Sequence, residues 1–221
     1  LQSLDRHPAA LVSYDRALAI DPGMAAAWSS RGSILKDQQR YGDAAAAFEQ
    51  AIACGGDPEV NGYFLAAVAG REAPATAPPQ YVRGLFDDYA GAFDDHLVGV
   101  LRYRAHRTLT GELMALGDRR YRQALDLGCG TGLCGPLLRP VADRIDGVDL
   151  SAGMLERARA LSVYERLACA DVAAHLQETD QRYDLVLAAD VFIYIGDLAP
   201  VFGGVARVIE PGGVFCFSVE L

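Results

Sequence analysis

The stretch ALDLGCGTG, residues 124–132, decides the fold. Residues 123–127 read as a short apolar strand, and Gly128-Cys129-Gly130-Thr131-Gly132 follows at once. Glycine in such a turn adopts backbone angles, and admits a close ligand approach, that a Cβ would hinder. The next helix is expected over 133–138, with Pro136 constraining its first turn.

Working outward, a second strand over 144–150 carries Asp149, 21 residues after Gly128. A carboxylate at that place can accept hydrogen bonds from both hydroxyls of a ribose, which points to a cofactor built on adenosine. Ser151 is expected to cap a helix opening at Gly153 or Met154. A third strand, 166–170, runs into Asp171, whose side chain or backbone would meet an adenine edge while Met154 or Val172 packs on the ring. The fourth, YDLVLAA at 183–189, is a continuous apolar run after Asp184, as a strand covered on both faces requires. Asp190 stands at its carboxyl end, where open α/β sheets bind ligands. A helix over 198–209, the turn EPGG at 210–213 and a strand over 214–219 continue the alternation, which implies βαβ units with right-handed crossovers.

Two adenosine cofactors compete. A nicotinamide dinucleotide needs a turn with glycine at its first, third and sixth positions, and the sixth position is Leu133. S-adenosylmethionine has no phosphate, and the acidic set Asp126, Asp149, Asp171 and Asp190 suits a cationic sulfonium amino acid better than a pyrophosphate.

At ALDLGCGTG (124–132), GVDLS (147–151), Ala170-Asp171, YDLVLAADV (183–191) and EPGG (210–213) the chain resembles the class I S-adenosylmethionine-dependent methyltransferases. The resemblance covers residues 81–221 and implies a Rossmann-like α/β sheet. It implies that Asp126 orders the amino-acid end of the cofactor and that Gly128, Cys129, Gly130 and Gly132 admit it close to the backbone. Asp149, with the adjoining Leu150, would hold the ribose; Met154, Asp171 and Val172 would surround the adenine. Asp190, Val191 and Phe192 would border the methyl-transfer site. The family sheet has seven strands and five are visible, so the last strands are expected to lie beyond Leu221. A chain that opens on Leu1 rather than Met is likewise expected to be a fragment.

Asp190 and His96 are the candidate general bases, with Asp190 equally able to shape the cofactor pocket. Cys129 reads as a small buried residue, because methyl transfer needs no covalent enzyme intermediate.

Upstream, GREAPATAPPQ at 70–80 holds three prolines, and 71–80 reads as a linker. Beyond it Leu85, Phe86, Tyr89, Phe93 and Leu97 recur at helical spacing. Tyr89 and Phe93 either cover the bound cofactor or pack a helix on the sheet. Leu109, Leu113 and Leu116 mark one face of a helix over 107–116.

Residues 1–70 repeat at an offset of 34: Ala10, Tyr14 and Ala17 map onto Ala44, Phe48 and Ala51. Small, aromatic and small residues spaced by four and three share one helix face. With Trp28 and Gly32 they resemble the tetratricopeptide repeat, one unit of it complete, although Arg31, Leu35 and Gly56 depart from the pattern. An all-α repeat segment is therefore expected before the sheet, as a groove for a protein partner or as a packing arm.

The chain has 221 residues, 51% of them apolar, enough for a sizeable core, and a net charge of -9 that opposes nucleic acid and anionic membranes. No apolar run nears the roughly 20 residues that span a bilayer, so the expected location is cytoplasmic. The five cysteines are scattered without a CxxC pair, and neither a zinc site nor a disulfide framework is indicated. The expectation is a methyltransferase acting on a small-molecule acceptor. Its alternatives are a protein or peptide methyltransferase guided by the repeats, a noncatalytic repeat scaffold, and an NAD-dependent oxidoreductase.

Overall fold

The computed structural model describes residues 7–70 and 77–219, and the chain divides into two units between Pro78 and Pro79. The first unit is helical: α1 (His7–Ile20), α2 (Ala25–Asp37), α3 (Tyr41–Ala53) and α4 (Pro58–Val68). Ala44, Ala47, Phe48 and Ala51 recur at helical spacing on α3 and are all buried. Gly32 on α2 faces them, and a Cβ there would come within 2.7 Å of the Phe48 ring. The missing side chain of α2 thus makes the space that the aromatic of α3 fills. Phe48 in turn stacks on Phe64 of α4, ring centroids 5.4 Å apart. Asp57 caps α4 by accepting the N–H groups of Glu59 and Val60. Among the described residues no helix is long and apolar enough to cross a membrane.

The second unit opens with α5 (Pro79–Tyr89), a π-helical turn (Asp95–Val100) and α6 (Ala105–Ala115). The α/β part follows as β1 (Tyr121–Leu127), α7 (Gly135–Leu138), β2 (Ala142–Asp149), α8 (Ala152–Ala160), β3 (Arg166–Cys169), α9 (Val172–Glu178), β4 (Tyr183–Ala188), α10 (Ala199–Val208) and β5 (Ile209–Phe217). The sheet is parallel throughout, in the order β3-β2-β1-β4-β5. Leu125 and Leu127 of β1, with Val186 and Ala188 of β4, enter one core with Val172 and Leu176 of α9 and Val201, Val205 and Val208 of α10. Ala124, Leu185 and Leu187 enter the other, with Leu113 of α6 and Leu138 of α7. Each buried aliphatic side chain stabilises the fold by roughly 1.5–3 kcal/mol, so a one-residue slip of either strand would forfeit both faces. Asp184 reinforces this register: its carboxylate accepts the N–H groups of Arg122 and Gln123 at 2.8 and 2.9 Å. The direction of the chain order reverses between β1 and β4, which places the ligand end of the sheet at the carboxyl ends of these two strands.

Several expectations are corrected. The helix expected over 133–138 is limited to Gly135–Leu138, because hydrogen-bonded turns occupy residues 129–134. EPGG is no loop before β5 but a bulge inside it: the pairing passes from Tyr183↔Ile209 to Leu185↔Val214. Gly212 takes φ +77 there, and Glu210 pairs with Arg122 at 2.9 Å. The apolar spacing from Leu85 to Leu97 spans two elements, α5 and the π-helical turn, with Gly91 between them. Leu116 lies past the end of α6 and is exposed. Pro79 and Gln80, expected in the linker, open α5, where a proline in the first turn costs no helical hydrogen bond. Residues 71–76 of that linker lie outside the described residues.

Candidate functional site

The turn after β1 carries three glycines in the left-handed region, Gly128 at φ +63, Gly130 at +54 and Gly132 at +92. Their surroundings differ. A Cβ on Gly128 would come within 2.4 Å of Val191, and one on Gly132 within 2.8 Å of Leu161, so those two positions are filled by the protein itself. Around Gly130 nothing lies within 4 Å of where a Cβ would stand. Its N–H donates to Asp149 Oδ2 at 2.8 Å, and the other oxygen of that carboxylate takes the Ser151 N–H, also at 2.8 Å. Asp149, at the end of β2, therefore ties the glycine turn to the start of α8. Burial pushes its carboxyl up, against the backbone donors Ser151, Gly130 and Leu150 that favour the charged form.

Asp126 is buried beneath the turn and accepts a hydrogen bond from Tyr164 at 2.7 Å. Burial, with the charge of Asp149 added, raises its carboxyl to about 7 despite that donor. Cys129 is buried and its thiol is pushed well up, which leaves it without thiolate character.

The segment before the sheet is fastened to this turn and to α8 at three points. Thr131 donates to Asp94 at 2.5 Å. Asp87 accepts the Ser151 hydroxyl at 2.5 Å and the Gly153 N–H at 3.1 Å, and these donors hold its carboxyl below the usual range. Arg157 of α8 donates to the Gly91 carbonyl at 2.8 Å. Phe86 meets Phe93 and Tyr194 edge to face at 6.0 and 5.2 Å, joining this segment to the loop after β4.

At the end of β4, Asp190 holds φ +54 while its N–H donates to the Ser218 hydroxyl at 2.7 Å. Ser218 donates back to the Asp190 carboxylate. Tyr103 lies beside Asp190; burial, then that negative charge, pushes the phenol up and keeps it protonated. Its ring stacks on buried His106 at 5.2 Å. The Nδ1 of His106 has no hydrogen-bond partner among the described residues, and burial holds the imidazole below its usual range.

The expected residues thus divide. Gly128, Cys129, Gly130, Gly132, Asp126, Asp149 and Leu150 lie in or around one turn, and Asp190 follows the carboxyl end of β4, the strand next to β1. Met154 and Val172 are buried, Val172 in the core with Leu125, Leu127, Val186 and Ala188. The Asp171 carboxylate caps α9, accepting the N–H groups of Ala173 and Ala174. His96 is exposed on the π-helical turn and is hydrogen-bonded to Tyr89. Tyr103, Tyr164, Ser218, Thr131, Asp94 and Asp87 were not foreseen in these roles. Only Thr131, inside the glycine turn, carried a local signal.

Residues 125–217 match the family model described as a methyltransferase domain. The malonyl-[acyl-carrier protein] O-methyltransferase of Pseudescherichia vulneris is 32% identical over 106 residues, 48% of this chain and 42% of that protein. The enzyme of the same description from Yersinia pestis is 30% identical over 146 residues, 66% of this chain and 52% of that protein. The chain spans about half the length of the curated relatives it matches. Among solved structures, a complex of DhpI with SAH is similar at a TM-score of 0.55 and 23% identity, covering 63% of this chain and 67% of that one. That likeness shows the fold.

Proposed function

We propose a reaction for this chain from one premise: its C-terminal part is a class I S-adenosylmethionine-dependent methyltransferase domain. The reaction is transfer of the methyl group of S-adenosylmethionine to a small-molecule acceptor. One observation carries this reading. Gly130 holds a left-handed backbone with open space where a Cβ would stand, and Asp149 grips its N–H from the end of the next strand.

These residues fit the cofactor. Any side chain at Gly130 would fill the space that the ligand needs. The Asp149 carboxylate keeps acceptor capacity beyond its backbone donors Gly130, Ser151 and Leu150 for a ribose hydroxyl. Asp126 offers a carboxylate toward an ammonium. When bound, S-adenosylmethionine supplies a methyl group on a sulfonium centre that departs as a neutral thioether.

The chain's own task is alignment and the exclusion of water. Phe86, Phe93 and Tyr194 supply the apolar cover. Asp190, held by Ser218, is the acceptor-side carboxylate and would take a proton from an acceptor that must lose one. Tyr103 beside it stays a neutral donor. His96 is less suited to this step, being exposed and engaged with Tyr89. We read residues 7–70 as tetratricopeptide-like, on the support of Gly32 accommodating Phe48.

Calorimetry of the whole chain tests the reading: S-adenosylhomocysteine binds and NADH does not. Tight binding of NADH with no heat from S-adenosylhomocysteine would replace it with an oxidoreductase.

A further inference from the structure

Tyr164 stands in the turn between α8 and β3, outside every motif that marks the cofactor site. Three glycines make room for its ring. A Cβ on Gly132 would come within 3.0 Å of it, one on Gly135 within 2.9 Å and one on Gly147 within 3.1 Å. These glycines belong to the turn, to α7 and to β2, so one aromatic side chain fills the junction of three elements. Its hydroxyl donates to Asp126 Oδ2 at 2.7 Å, and Asp126 is only 1% exposed. A phenol this deep is costly unless its O–H finds an acceptor, and filling alone would be served as well by phenylalanine.

We infer that Tyr164 is a positioning residue of the cofactor site: its ring sets the glycine turn against β2, and its O–H orients the Asp126 carboxylate toward the ammonium of the cofactor's methionine moiety. The inference rests on the methyltransferase reading above. Tyr164 itself touches neither donor nor acceptor; it acts through Asp126.

The groups that face Asp126 are Tyr164, Asp149 from β2, Cys129 in the turn, Cys134 before α7 and Tyr103 before α6. Burial and Asp149 raise Asp126 to about 7, and the Tyr164 hydrogen bond opposes them. Below that value the carboxyl is neutral and loses its attraction for an ammonium. Affinity for S-adenosylhomocysteine should therefore rise with pH, with a midpoint near this value in the free protein. Removing the hydroxyl removes the opposing effect, so the midpoint must move upward.

The test is calorimetric titration of the whole chain with S-adenosylhomocysteine from pH 5.5 to 8.5. In Tyr164→Phe the midpoint is expected to rise by about one pH unit, the scale of one hydrogen bond to a charged group, and the affinity at pH 7 to fall about fivefold. Asp126→Asn should flatten the profile. Tyr164→3-fluorotyrosine keeps the ring and strengthens the donor, so its midpoint should fall, which keeps the inference testable even if Tyr164→Phe does not fold. A midpoint unmoved in Tyr164→Phe, or unmoved in the fluorinated variant, would overturn the inference and leave the ring as filler. A native chain that binds no S-adenosylhomocysteine at any pH would instead overturn the methyltransferase reading.

Discussion

Gly32 in the helical unit and Gly130 in the sheet unit both lack a side chain, for opposite reasons. At Gly32 the freed volume is taken by Phe48, so the glycine serves packing between two helices. At Gly130 the freed volume is left open, and the residue holds a left-handed backbone that a Cβ would strain. The lesson is that a glycine's purpose is read from what occupies the missing Cβ. Gly132 sharpens it further, being left-handed like Gly130 yet filled by Leu161 and Tyr164, like Gly32.

The largest expected effect tests the packed side. Phe48→Ala deletes a fully buried ring and should destabilise the helical unit by about 3–5 kcal/mol. Trp28 is the single tryptophan of the chain and lies in that unit, so its fluorescence in a urea titration reports this loss. An unfolding midpoint unchanged from the native chain would break the comparison at its first half. Next comes the open side. Gly130→Val should cut affinity for S-adenosylhomocysteine more than 100-fold, about 2.7 kcal/mol, while leaving the Trp28 transition in place. Native affinity in that variant would show that the space beside Gly130 is not the ligand's. The smallest effect concerns how the segment before the sheet is held. Asp87→Ala removes the acceptor for Ser151 and Gly153 and should cost about 1 kcal/mol, the scale of a lost helix cap. Faster amide hydrogen exchange in α5 would reveal it; unchanged exchange would mean that Arg157 and Asp94 suffice to fasten the segment.

Much of this arrangement was legible in the sequence because it obeys local rules. The run of β4 after Asp184 is continuously apolar, as a strand covered on both faces must be, and the carboxylate that ends β2 falls at the distance a βαβ unit imposes. Asp171 shows where such rules end. A carboxylate after a strand and before a helix suits a ligand or a cap equally, and its side chain is spent on the cap of α9. EPGG misled for a similar reason, since Pro-Gly pairs mark turns and bulges alike. What stayed hidden is the pairing of residues far apart in the chain. Tyr164 reaches Asp126 across 38 positions and Asp94 reaches Thr131 across 37, and neither contact leaves a period or spacing to detect. Tyr103 has no local signal either; the turn of the chain at Arg102, φ +56, sets it beside Asp190.

The backbone of Asp190 has one further consequence, for variation at the carboxyl end of β4. Its φ of +54 belongs to a region that asparagine, aspartate and glycine enter cheaply and β-branched or bulky residues do not. A library randomised at this codon would be thinned by folding before any catalytic selection began. The survivors would sample a carboxylate, an amide or no side chain at all. On the proposed reading, new acceptor specificities are therefore more accessible through the neighbouring aromatic positions, whose backbones impose no such filter.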